Sequence, residues 1–151
     1  MTSIIKVDTI QKQDGSAFPL GNLLQVQKAS LGTTTSGITG STWVTSGLSL
    51  NFTPQFSTSK IYVSHTAGGI TQGSLYTGIK IVRNSTDVVI NWGYHDHSNW
   101  NLHNFSLVGI DEPNTTSQVT YTVQLYANTG TNFYWNYNTG STQLVAMEIA
   151  Q

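Results

Sequence analysis

Between Gly93 and Asn104 the chain reads GYHDHSNWNLHN, and three of its four histidines fall there. His95 and His97 are one residue apart. Alternate side chains of an extended segment share a side, so two imidazoles at this spacing can converge on one metal ion while Asp96 points away. His103 becomes a third ligand if the chain folds back, and neutral imidazole suits zinc, iron and copper alike. The same stretch also carries the chemistry of polar-ligand recognition. Trp100 offers a ring face between the amides of Asn99 and Asn101, and His103 adds a hydrogen-bonding group. Against both stands the plainest alternative, a solvated connection between strands whose histidines bond locally.

Nothing else in the sequence assembles a catalytic set. Asp111 and Glu112 are adjacent, so in a strand they face opposite ways, and DEPN is a turn-starting sequence. There is no glycine-rich phosphate loop, G-x-S-x-G elbow or H-E-x-x-H pair. Asp96 beside His95 and His97 is the one acid–base neighbourhood, and neighbours in sequence are not a preorganised constellation. A protein without enzymatic activity is therefore expected. His65, in line with Ile61, Val63 and Ala67, is expected to be a core or interface histidine with one nitrogen satisfied. The aromatics Trp92, Tyr94, Trp100, Tyr126, Tyr134, Trp135 and Tyr137 gather in the second half of the chain. Alternation with Phe133 assigns Trp135 and Tyr137 to a core, which leaves Trp100 as the aromatic expected to be exposed.

These groups need a body to position them. A chain of 151 residues has room for one domain with a real core. Only 9% of its residues are charged, against about 25% in an average domain, so hydroxyls and amides must do the solvating. Such surfaces suit β proteins that work outside cells or on virions. All six basic residues lie at or before Arg83, whereas Asp87, Asp96, Asp111, Glu112 and Glu148 follow it. No basic face can form beyond Arg83, which argues against nucleic acid as a partner. Cysteine is absent, so disulfides and thiolate chemistry are excluded. No apolar run approaches the roughly 18 residues of a membrane span, and no membrane insertion is expected.

Helical periodicity is nearly absent, while period-two alternation recurs. Leu48, Leu50 and Phe52 alternate with Ser49 and Asn51, and Val119, Tyr121, Val123 and Leu125 share one face of VTYTVQLYA. Ile79 and Ile81 align with Thr77, and Val88, Ile90, Trp92 and Tyr94 follow after the turn-like RNSTD. In the last run, Val145, Met147 and Ile149 take one face and Leu144, Ala146 and Glu148 the other. ANTGT carries a hairpin signal between Tyr126 and Phe133. Together these runs predict about eight short strands in an all-β, antiparallel β-sandwich of jelly-roll type over residues 23–151.

Residues 1–22 differ. A short alternating strand, an Asp14-Gly15 turn and a return ending at Pro19 and Gly21 predict a short hairpin. An isolated hairpin is marginal in water, so Ile4, Ile5, Val7, Ile10 and Phe18 need a second surface. They are expected to serve oligomerisation or attachment to another chain.

The opening IIKVDTIQ…DGS resembles the start of many tail-fibre and virion structural proteins of tailed phages, especially those of aquatic bacteria. The stretches LLQVQKAS…STWVTSGLSLNFTPQFSTSKIYVS and DEPNTTSQVTYTVQLYA, with the ending LVAMEIAQ, resemble the C-terminal jelly-roll module of such proteins. That module is similar in outline to trimeric C1q/TNF-like heads. The resemblance implies a homotrimeric virion component, assembled in the host cytoplasm and acting outside the cell. Its N-terminal segment would mount on other virion proteins, and its head would meet a host-surface glycan or receptor. A capsid decoration or head-fibre protein that stabilises the particle without binding a receptor is the alternative, because it would use the same fold and mount.

The stretch from Gly93 to Asn104 yields a first prediction. If His95 and His97 hold a metal, a chelator will lower the melting temperature or weaken host adsorption, and His97→Ala will reproduce the effect. If the purified protein carries no metal and melts identically with chelator, the metal site is removed.

Overall fold

The structure, a computed structural model, describes residues 23–32, 35–72, 75–95, 100–128, 132–136 and 141–151. Within those strands, the side chains of residues 35–37, 72, 75, 95, 100, 101 and 103 are outside the description. The expected N-terminal hairpin, with Ile4, Ile5, Val7, Ile10 and Phe18, lies outside the described residues, as do Asp96, His97, Asn99 and Tyr137.

Ten strands make up the described fold: β1 (Leu23–Leu31), β2 (Thr35–Ile38), β3 (Val44–Phe52), β4 (Lys60–Gln72), β5 (Leu75–Arg83), β6 (Thr86–His95), β7 (Trp100–Asp111), β8 (Val119–Ala127), β9 (Asn132–Trp135) and β10 (Thr142–Ile149). All pair antiparallel in two sheets. One sheet runs β3-β8-β5-β6. In the other, β4 pairs with β7 along one side and with β10 and then β9 along the other, while β10 pairs with β1 and β9 with β2. β1 and β2 thus share one column, as do β9 and β10, so ten strands fill eight positions. The columns β1-β10-β4-β7 facing β3-β8-β5-β6 are a jelly roll, as expected from the hairpin spacing.

Alternation explains which residues meet between the sheets. Leu48, Leu50 and Phe52 of β3, Ile61 and Val63 of β4, Ile79 and Ile81 of β5, and Tyr121, Val123 and Leu125 of β8 are all buried. Phe105 and Phe133 pack at 5.5 Å, and Trp135 is fully buried, as its alternation predicts. The two faces that β10 offered are now distinguished: Leu144, Ala146 and Glu148 point inward, and Val145, Met147 and Ile149 are only half-buried.

Two polar clusters tie the sandwich together. Arg83 Nε and the Tyr121 hydroxyl donate to the same oxygen of Asp111, at 2.7 and 2.8 Å. β5 and β8 belong to one sheet and β7 to the other, so this carboxylate bridges the layers. Burial, reinforced by the bond to Asp111 and its negative charge, pushes the Tyr121 phenol far above its usual range, although Arg83 opposes the shift. The second cluster surrounds Glu148, whose Oε1 accepts from the backbone N–H of Gln55 at 2.7 Å and Phe56 at 3.2 Å. Its Oε2 accepts from Gln25 Nε2 at 2.6 Å, and the same amide nitrogen donates to the Thr53 carbonyl. Glu148 therefore fastens the β3–β4 turn to β1 and β10.

Two local expectations are corrected. ANTGT is not a hairpin: β8 ends at Ala127 in one sheet, and β9 begins at Asn132 in the other. The turn-prone residues mark a crossing between layers, and composition does not distinguish the two uses. The stretch 95–104 is not one loop. β6 runs through His95, and β7 resumes at Trp100, where backbone pairing with Gln72, Thr71 and Gly69 takes in Trp100, Asn101 and His103. The length of β4 supplies the partners that polar side chains alone did not suggest.

Glu148 supplies the prediction here. Burial by itself would raise its carboxyl, but the hydrogen bonds from Gln25 and the loop hold it below the ordinary glutamate range. A lowered folded value means that the stabilisation is present above the ordinary glutamate range and is lost as pH falls through the folded value. Glu148→Gln removes the charge and turns an N–H donor toward an existing donor. It should cost about 1–3 kcal/mol in chemical denaturation at neutral pH, and the deficit should shrink in acid.

Candidate functional site

Side chains that point away from the core define two broad outer faces, each with an apolar patch set among hydroxyls and amides such as Asn51 and Thr120 on one and Ser64 and Gln143 on the other. On the β3-β8-β5-β6 sheet, the register sets Gly78 between Tyr126 and Trp92. Trp43, just before β3, joins them. Its ring lies 5.3 Å from Trp92, inclined 63°, and 5.5 Å from Tyr126, while Trp92 meets Tyr126 at 5.2 Å and 74°. The next pair along β5 and β6, Tyr76 and Tyr94, pack at 5.0 Å. Trp92 and Tyr94 are 52% and 60% exposed, so this is surface and not core.

A missing side chain makes the arrangement possible. A Cβ on Gly78 would lie 2.8 Å from Trp43 Cη2 and 3.0 Å from Trp92, closer than packed atoms tolerate. Glycine therefore lets two indoles close over the strand, and edge-to-face contact sets their inclination. Lys80 borders the cluster, with Nζ 4.6 Å from the centroid of Trp43 and 2.6 Å from Asp87 Oδ1. The cation is held between a ring face and a carboxylate.

The opposite sheet carries a different face. Register aligns Val26, Met147, Tyr62 and Ile110 in a row that crosses all four columns. Lys28, Val145, Ser64 and Val108 form the neighbouring row. Val26, Val108 and Ile110 are exposed, and Ile110 remains 53% accessible on β7, which among the described residues pairs only with β4. Leu102, further along β7, is 71% exposed. A shallow depression lined by Ser64, Thr66, Gln143 and Val145 opens beside these rows.

His65 lies beneath that depression and is buried, as expected from its apolar face. Its Nδ1 stands 2.8 Å from the Gln143 carbonyl, which can only accept, so Nδ1 carries the proton. Burial lowers its pKa, and the bond to Gln143 offsets this only in part, which leaves a neutral imidazole packed 5.5 Å from Trp135. It is a structural histidine.

The candidate residues of the sequence fall at one end of the sandwich. His95 closes β6, and Trp100, Asn101 and His103 open β7, in backbone terms, while His97 and Asn99 lie outside the described residues. Among the described residues, no group of three histidines or acids is arranged to hold a metal. Sequence reasoning named Trp92, Tyr94 and Tyr126 among the clustered aromatics but missed Trp43, Tyr76 and Gly78. The available signal was parity: Tyr76, Gly78 and Lys80 occupy the face opposite the buried Thr77, Ile79 and Ile81.

No known protein family matches the chain, and no curated protein sequence matches it. Among solved structures it is similar to chains of infectious bursal disease virus. For the Gx strain the TM-score is 0.44 at 13% identity, covering 85% of this chain and 33% of that one. For the Gt strain the values are 0.42 and 14%, covering 100% and 43%. This chain thus spans less than half the length of those chains.

Gly78→Val tests the aromatic cluster. The added side chain should separate the indoles, change the near-ultraviolet circular dichroism of the tryptophans, and cost about 1–3 kcal/mol. An unchanged spectrum would show that the rings do not depend on this glycine.

Proposed function

We propose that this protein is a homotrimeric virion structural protein whose jelly-roll head attaches the particle to a ligand on the host surface. Residues 1–22 are its mount on the particle. The observation that carries this reading is the contrast between the two outer faces. An apolar row spanning every column of a sheet, ending in exposed Ile110 on a strand that among the described residues pairs only with β4, favours burial against protein. Three heads packed with these rows toward a common axis would cover them and leave the aromatic sheets pointing outward.

The rest of the molecule is consistent with that use. Ion pairs between Lys60 and Glu112, Lys80 and Asp87, and Arg83 and Asp111 engage most of the described cations, so the outer surface depends on hydroxyls and amides. The sequence resemblance to phage fibre and virion proteins supplies the particle context, and composition favours a protein that persists outside a cell.

The test is oligomeric state. The wild-type protein should have the mass of a trimer in solution at micromolar concentration. Val108→Glu with Ile110→Glu adds two charges to the outer row, without touching core residues, and should yield folded monomers. A wild-type monomer would overturn the trimer, and a double variant that stays trimeric would move the interface to another face.

A further inference from the structure

We infer that the aromatic face of the β3-β8-β5-β6 sheet is a binding site for neutral carbohydrate, an inference that rests on the attachment role proposed above and names its ligand class. A pyranose ring has an apolar side of C–H bonds and a rim of hydroxyls. It is recognised by rings that stack and by polar groups at their borders. Trp92 and Tyr94 are more than half exposed, and they stand in fixed contact with Trp43, Tyr126 and Tyr76. The rings are held in place before any ligand arrives, so little side-chain entropy is lost on binding.

Spacing extends the site beyond one ring. Trp92 opposite Gly78 and Tyr94 opposite Tyr76 are successive outward positions of β6, about 7 Å apart along a strand. Neighbouring units of a sugar chain can use both. Register brings Thr45 beside Gln124 and Gln124 beside Lys80, which puts a hydroxyl and an amide in the row next to the rings. The opposite sheet also carries hydroxyls and an amide, at Ser64, Thr66 and Gln143, but among the described residues no stacked rings stand beside them, and its aliphatic rows match another protein surface.

Charge selects the ligand. Lys80 is the cation nearest the rings among the described residues, and Asp87 at 2.6 Å already neutralises it. An acidic sugar would have to break that pair and sit near the displaced carboxylate. A neutral sugar needs no such exchange.

The experiment titrates the intact protein with maltotetraose, cellotetraose, mannotetraose and galactotetraose, with sialyllactose and a sulfated chondroitin tetrasaccharide as anionic probes. Tryptophan fluorescence and saturation-transfer NMR report binding. At least one neutral chain should saturate the protein, with both anionic probes weaker. Trp92→Ala should bind at least about tenfold more weakly, the loss expected of one stacking ring, with unchanged mass and a cooperative melt lowered only by the lost contacts to Trp43 and Tyr126. The inference is overturned if no neutral chain saturates, if an anionic probe binds best, or if Trp92→Ala binds as tightly as wild type. It is also overturned if Trp92→Ala changes the oligomer's mass, because the rings would then join copies of the protein. Competition by the soluble protein against particle adsorption separates the two levels. Competition without sugar binding keeps the attachment role and removes this site, whereas sugar binding without competition keeps the site and removes the role.

Discussion

The fold depends on the hydrogen bonding of one strand. β4 is thirteen residues long, and it pairs with β7 from Ile61 to Gln72. On its other side, β10 serves as far as Thr66 and β9 from Gly69 onward. The gap falls where Asn136, with a φ of +57°, donates its N–H to the Gly68 carbonyl at 2.8 Å. A buried backbone group without a partner is costly. Dividing the column beside β4 into β9 and β10, with Asn136 in the left-handed conformation that asparagine tolerates, keeps the long central strand satisfied. The interruption passes to the next column, where β1 and β2 divide in the same way.

With both sides of β4 occupied, the two layers are held in register by charge as well as by the apolar core. The Asp111 carboxylate accepts from Arg83 and Tyr121 across the layers, and Glu148 ties a turn to the sheet edge. A buried carboxylate requires such partners. These two acids are therefore joints, and neither is free for acid–base chemistry.

Much of this architecture could be read from the sequence. Alternation at Leu48, Leu50 and Phe52 and along Val119–Leu125 determines strands whose inner face is the only apolar one, and the jelly roll follows from their number and spacing. Parity is less decisive where both faces are apolar. In β10, Val145, Met147 and Ile149 outrank Ala146 and Glu148 in hydrophobicity, yet they face outward. The hydrogen bonds that make Glu148 an inner residue come from Gln25, Gln55 and Phe56, far away in sequence. The aromatic face was partly legible for the same reason. Its rings come from β5, β6, β8 and the segment before β3, and only the pairing of Gly78 with Tyr126 and Trp92 gathers them. The histidines from His95 to His103 stood out by composition, whereas long-range pairing fixes the backbone of β7.

The pairing of charges has a kinetic consequence. Lys60, Lys80 and Arg83 are each matched to a carboxylate, and Glu148 is enclosed. Among the described residues little charge is left uncompensated, so their contribution to a long-range field that would draw in or repel a partner is small. Encounter rates then follow diffusion and orientation alone, in the range of about 10⁵–10⁷ M⁻¹s⁻¹. Dissolved ions have little to screen. As far as the described residues set it, the rate at which partners meet should differ little between fresh water and brine.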